Sequence, residues 1–262
     1  MDLTDRNVVI TGAGRGIGAA LAASFHARGA NVVLADIAGA PEAARAIDPQ
    51  RATGIDADVS TEEGNRLLVE RATEILGSID LFFANAGVGT GTTLADTGED
   101  VWEQAFAVNV HAHRWAAKHL VDEWVARGEG YFCSTASAAG LLAQIGSGPY
   151  TLTKRAAVAF AEWMAITYGD AGIRVTCLCP QGVNTAMLHA GDDEVSGSDV
   201  VRAAGVVLEP DDVAEQVADA IERESFLVLP HPEVADYVRR KADDPERWLA
   251  GMRKLQRRVT GA

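Results

Sequence analysis

Tyr150 and Lys154 stand four residues apart, and Ser137 lies thirteen residues before the tyrosine. If Pro149 occupies the first turn of a helix, where its missing N–H is not needed, the phenol and the ammonium share one face, one turn apart. A free tyrosine titrates near ~10, and a neighbouring cation favours the phenolate. Tyr150 is therefore a candidate general acid/base and Lys154 the group that tunes it. A second constellation, Thr11-Gly12-Ala13-Gly14-Arg15-Gly16-Ile17-Gly18, directly follows an apolar strand pattern and opens a helical one. Glycines there let a pyrophosphate approach the backbone, and the helix N-terminus offers unpaired N–H groups with a partial positive charge. Gly12, Arg15, Gly16, Ile17 and Gly18 are the candidate phosphate cradle.

Asp36 ends the second strand pattern, eighteen residues after Gly18, where a carboxylate can accept hydrogen bonds from the adenosine ribose. A 2′-phosphate would face that charge, and Ile37 gives Arg15 no second basic partner. The expected cofactor is NAD, with NADP disfavoured.

The elements that must position these groups follow from periodicity. Short β-branched runs alternate with longer helical patterns, as in βαβ units around a parallel sheet. Strands are expected at 7–10, 31–35, 52–55, 79–83, 130–134, 173–179 and 225–229, several continuously apolar as a sheet covered on both faces requires. The fold class is α/β: a doubly wound, Rossmann-type three-layer sandwich with a seven-stranded parallel sheet. Ser60-Thr61-Glu62-Glu63 reads as a capping box, and Pro210-Asp211-Asp212 opens another helix. Two long helices are expected, at about 100–127 and 150–168, with faces for the sheet and for a second copy of the chain. Residues 1–262 are expected to form one domain, with a lid at about 186–209 and a basic helical tail at about 233–262.

The chain is 48% hydrophobic and 23% charged, and its apolar runs fall far short of the ~20 residues a membrane span needs. Met1 to Arg6 lacks the basic and apolar regions of a signal peptide, so a soluble cytoplasmic protein is expected. Cys133, Cys177 and Cys179 make no even framework and read as free thiols. His111 and His113, two apart, do not face one another on a helix, so no metal site is expected. A net charge of −14 argues against nucleic acid, whose phosphates need a positive surface. The charge is uneven: residues 239–258 hold eight basic and three acidic side chains, either a solvated helix face or one packed on the acidic body or a neighbouring subunit.

Together these residues resemble the short-chain dehydrogenase/reductase family, in its single-domain branch, over nearly the whole chain. Beside the glycine-rich turn and the Tyr-x-x-x-Lys helix there are Asp58-Val59 after the third strand, Asn85-Ala86-Gly87 after the fourth, Asn109 in the next helix, and Ser137 in Ser134-Thr135-Ala136-Ser137-Ala138-Ala139-Gly140. The resemblance implies that Asp58 and Val59 contact the adenine and that Asn85 and Gly87 border the cofactor. It also implies a tetrad of Asn109, Ser137, Tyr150 and Lys154, with Lys154 on the nicotinamide ribose and Asn109 anchoring a proton-relay water. The family commonly has Pro-Gly-x-Val-x-Thr after the sixth strand, whereas this chain has Pro180-Gln181-Gly182-Val183-Asn184-Thr185. Val183 and Thr185 keep their expected nicotinamide contacts, and Gln181 removes a glycine's freedom from the turn.

The activity implied is NAD-dependent hydride transfer between the nicotinamide and a secondary alcohol or ketone. Leu141, Leu142, Gln144, Ile145, Met187 and Leu188 suggest an apolar pocket for it. No basic cluster for a phosphorylated substrate stands out, Arg202 in the lid apart. Two other readings remain open at this point: an NADPH-dependent ketoreductase, and a non-catalytic NAD-sensing protein of the same fold.

Overall fold

The apolar runs become β1 (Asn7–Thr11), β2 (Asn31–Asp36), β3 (Ala52–Asp56), β4 (Leu81–Ala84), β5 (Gly130–Thr135), β6 (Ile173–Leu178) and β7 (Leu227–Val228) in a computed structural model that describes residues 1–91, 94–189 and 205–260. They form one parallel sheet in the order β3-β2-β1-β4-β5-β6-β7. Every residue of β4 and β5 is buried, which is why these strands show no polar alternation. The chain runs outward from β1 to β3 and then returns to place β4 on the other side of β1. A crevice opens at the carboxyl ends of β1 and β4, where the winding reverses.

Eleven α-helices among the described residues cover and edge the sheet: α1 (Gly16–Ala27), α2 (Ala40–Ile47), α3 (Glu62–Leu76), α4 (Glu99–Phe106), α5 (Ala112–Arg127), α6 (Ala138–Leu141), α7 (Gly148–Tyr168), α8 (Ala186–His189), α9 (Pro210–Glu222), α10 (Glu233–Asp243) and α11 (Pro245–Thr260). On one face Leu21 and Phe25 of α1 and Val213, Val217 and Ile221 of α9 pack on Val8, Ile10 and Leu34. On the other, Leu68, Leu120, Trp124, Ala161 and Met164 of α3, α5 and α7 meet Val9, Phe82 and Phe132. Trp124 is fully buried, and its indole N–H is satisfied by the Ile79 carbonyl at 2.8 Å. At ~25 cal/mol per Å² of apolar area, such aromatic burial dominates the stability of each layer.

Two local expectations need correction. The cap of α3 is Thr61, whose Oγ1 accepts from Gly64 N at 3.0 Å. Ser60 instead donates its backbone N–H to Asp58 Oδ1, so the capping motif starts one residue later than the Ser-x-x-Glu pattern indicated. The helix expected over 100–127 is interrupted by a π turn at Ala107–His111. Of the expected lid, residues 190–204 lie outside the described residues; on either side are α8 and a bridge between Val183 and Leu208. No described helix is long and apolar enough to cross a membrane, and the three cysteines are free and buried.

Candidate active site

The glycine-rich turn is shaped first by the protein's own backbone. A Cβ on Gly18 would lie 2.2 Å from the Gly12 carbonyl oxygen, and one on Gly12, at φ +63°, would lie 2.7 Å from Ala86 Cα. Only hydrogen fits at either place. The turn is then riveted to its neighbours. Thr11 Oγ1 accepts from Asn85 N and Ala86 N, both at 3.0 Å, and Asn85 Nδ2 donates to the Thr11 and Gly12 carbonyls at 3.0 and 3.2 Å. Asn85 Oδ1 in turn accepts from Thr135 Oγ1 at 2.9 Å. The Asn85 amide therefore fastens three strand ends together and uses both of its N–H groups on the protein.

Helix α1 starts at this turn with Arg15 as its N-cap, no side-chain cap and no acidic residue in its first turn. By contrast α3 is capped by Thr61 and opens on Glu62 and Glu63. Uncapped N–H groups with the positive end of the helix dipole are suited to a phosphate rather than to the chain's own carboxylates. Asp36 Oδ2 accepts from Gly14 N at 2.9 Å, which sets the carboxylate at the cleft's edge and leaves it lone pairs for ribose hydroxyls. These donors and acceptors fit a dinucleotide. Gly14, absent from the sequence-based set, contributes through its N–H.

One cleft of about 1660 Å³ is lined by Gly12, Arg15, Gly16, Ile17 and Gly18, by Asp36, Asp58 and Val59, and by Asn85 and Gly87. Ser137, Tyr150, Lys154, Val183 and Thr185 line the same cleft. The volume exceeds the ~300–1,000 Å³ of a pocket for one drug-sized ligand, leaving room for a second molecule. Asn109 is the exception. It is fully buried behind the wall, in the π turn, and its Oδ1 accepts from Val88 N at 2.9 Å while Nδ2 donates to Val88 O and Thr153 Oγ1 at 3.0 and 3.1 Å. Both amide protons are used, so the side chain holds the segment after β4 against α7.

Ser147 caps α7 by accepting from Tyr150 N at 3.2 Å, with Pro149 in the first turn. Tyr150 and Lys154 follow on one face, the ammonium 5.7 Å from the phenol ring centroid. Lys154 is 2% exposed, and its Nζ donates to Thr135 O at 2.9 Å. Burial brings its pKa down to about 8. Burial raises the Tyr150 pKa, and a hydrogen bond with Ser137 pulls it the other way. In the protein itself burial thus sets the direction of the phenol's shift. Ser137 caps α6, accepting from Ala139 N at 3.1 Å. Beneath it His113 is buried, bonded through Nδ1 to Ser134 Oγ at 2.9 Å, and burial followed by the Lys154 charge brings its pKa down to about 3. It is a neutral structural imidazole.

Gln181 imposes no strain on the turn after β6, since among the described residues only Asp5 and Glu224 are non-glycines with positive φ. The turn is held instead by His231, a residue sequence reasoning did not single out. Its Nδ1 accepts from Gln181 N at 3.2 Å, leaving Nε2–H to donate to Gly182 O and Val206 O at 3.1 Å. Thr185 Cγ2 lies 3.3 Å from where a Cβ on Gly16 would sit, which brings this turn to the mouth of the glycine-rich one. Of the expected substrate wall, Leu142, Gln144, Ile145, Met187 and Leu188 line the cleft, whereas Leu141 packs into the core. Lys241, Trp248, Leu249, Met252, Arg253 and Gln256 of α10 and α11 complete it.

The short chain dehydrogenase family model matches residues 6–195. Over 225 residues the chain is 33% identical to a meso-2,3-butanediol dehydrogenase of Serratia marcescens, covering 83% of this chain and 88% of that one. Over 230 residues it is 31% identical to a cis-4-hydroxycyclohexanecarboxylate dehydrogenase of Sinomonas cyclohexanicum, covering 86% and 92%. A crystal structure of a short chain dehydrogenase/reductase from Burkholderia phymatum in complex with NAD superposes with a TM-score of 0.85 at 28% identity, covering 94% of this chain and 96% of that one.

Proposed function

The chain belongs to the short-chain dehydrogenase/reductase family, and on that premise we propose that it is an NAD-dependent dehydrogenase of secondary alcohols, reversible towards the ketone. The observation that carries the reading is the convergence of Ser137, Tyr150 and Lys154 on the cleft that the glycine-rich turn and Asp36 also line. A nicotinamide dinucleotide bound there accepts or supplies the hydride. Gly12 to Gly18 and the α1 N-terminus hold its phosphates, Asp36 its ribose, Asp58 and Val59 its adenine, and Val183 and Thr185 its carboxamide side. Tyr150 Oη exchanges the proton of the substrate oxygen, and Ser137 Oγ fixes that oxygen by hydrogen bonding. Lys154, buried beside the ring, biases the phenol towards ionisation and donates to the cofactor ribose. Asn109 positions Val88 and Thr153 rather than touching the substrate. Both relatives' substrates are named as alcohols, and the apolar wall favours a hydrophobic one.

The cofactor assignment rests on Asp36. A kcat/KM comparison on one alcohol should favour NAD over NADP, and Asp36→Ala should shrink the ratio by about tenfold or more, because the carboxylate repels a 2′-phosphate. A wild-type ratio favouring NADP would overturn the assignment and return the reading to a ketoreductase.

The assembly is proposed to be a homo-dimer or tetramer across α5 and α7, in which Trp163 and Ile166 are 51% and 83% exposed. Apolar side chains of that size on one helix are suited to an isologous contact. Light scattering at micromolar concentration should give a multiple of 27.6 kDa; a monomer alone would refute it. A cytoplasmic setting is proposed from the three free, buried thiols.

A further inference from the structure

The far end of the cleft is charged in one sense. The carboxylates lining the cleft, Asp36 and Asp58, stand at the ends of β2 and β3. The charges contributed by α10 and α11 are Lys241 and Arg253 alone. At ~100° per residue, Trp248, Leu249, Met252, Arg253 and Gln256 fall within about 140° of the α11 circumference. The helix thus turns one apolar face with a single guanidinium towards the cleft. Among the described residues Arg253 has no ion pair or hydrogen bond. Lys241 Nζ donates to the Leu141 and Leu142 carbonyls, both at 2.8 Å, which spends two of its three N–H groups. Burial and then the charge of Arg155 lower the Lys241 pKa.

We propose that Arg253, with Lys241 beside it, receives a carboxylate carried by the substrate, so that the preferred substrate is an apolar secondary alcohol bearing a remote carboxylate group. The proposal rests on the dehydrogenase reading above and names its substrate class. The cleft that holds Tyr150 and these cations is also lined by Leu142, Ile145, Met187, Trp248 and Met252, which suits hydrocarbon. A guanidinium binds a carboxylate by two parallel N–H bonds, a geometry an uncharged amide does not match. One guanidinium and one partly committed ammonium suit a single negative charge better than a phosphate dianion.

The test uses the full chain and ring alcohols that carry a carboxylate on zero, one or two methylene spacers, each paired with its carboxamide. The best carboxylate should exceed its carboxamide in kcat/KM by about tenfold or more, chiefly through KM. Arg253→Gln should reduce that ratio by about tenfold and Arg253→Glu should invert it, whereas Lys254→Gln, on the opposite side of the helix, should leave it unchanged. Ratios near one in the wild type, or a ratio untouched by Arg253→Gln, would overturn the proposal while turnover of the amides upheld the dehydrogenase. If no alcohol of either kind is oxidised with NAD or NADP, the dehydrogenase reading fails. The anion site is then decided by calorimetric titration of cyclohexanecarboxylate and cyclohexanecarboxamide into the NADH-loaded protein. Tighter carboxylate binding lost in Arg253→Gln upholds it, and equal binding overturns it.

Discussion

Replacing Tyr150 by phenylalanine should lower kcat on a good alcohol by ~10²–10⁴-fold, the usual loss when a positioned acid/base is removed. The ring and its place on α7 are kept, and Ser147 still caps the helix through the Tyr150 backbone N–H, so NADH affinity and melting temperature should change little. The pH profile sharpens the test. Burial raises the phenol's pKa, so wild-type oxidation should climb as pH rises and the base form fills, and that limb should vanish in the residual activity of the variant. Near-normal kcat in Tyr150→Phe, or a loss explained by unfolding, would remove Tyr150 from the proton-transfer role.

Below pH 8, Lys154→Met should cut kcat/KM by ~10²-fold or more, since it withdraws the cation beside the phenol and a cofactor donor together. Its effect on stability depends on pH over a defined window. Burial brings the Lys154 pKa to about 8 from 10.5. Between those values the unfolded chain holds a proton that the folded chain has released, so wild-type stability rises with pH. Below pH 8 the folded protein bears the full penalty of a buried charge. Chemical denaturation of wild type and variant should therefore differ by an amount that grows in favour of wild type by about 3 kcal/mol between pH 8 and 10.5. A difference independent of pH would show that Lys154 stays charged throughout. The Thr135 carbonyl loses its donor in the variant at every pH, an offset the comparison cancels.

The parts of the molecule legible in the sequence are those governed by local rules. Continuous apolar runs mark strands buried on both faces, and a four-residue spacing puts Tyr150 and Lys154 on one face of a helix, as α7 shows. What the sequence did not disclose depends on contacts far apart in the chain or on one extra residue in a turn. Hydrophobic periodicity at 100–127 matches a plain helix, because a single π turn alters it too little to notice. The water-anchoring role of Asn109 is what the family resemblance implies, and folding additionally spends both its amide protons on Val88 and Thr153. His231 lies fifty residues from Gln181, and no local signal pairs an imidazole with so distant a backbone. The wall from α11 is half legible: the basic run at 239–258 stands out in the sequence, while only helical spacing puts Trp248, Leu249, Met252 and Arg253 on one face.

The hydrogen bonds that shape the dinucleotide cradle join residues 74 positions apart in the chain at Thr11 and Asn85, and 50 apart at Asn85 and Thr135. No short fragment of the chain contains the cradle, which needs β1, β4 and β5 side by side. Loop closure on that scale costs entropy before the contacts reward it. A ligand held by this cradle has no purchase on the unfolded chain and acts as a mass-action brace for the native topology, adding about 2.7 kcal/mol at a hundred times its Kd. Cofactor bound in this cradle would thereby lengthen the lifetime of the folded state as well as support turnover.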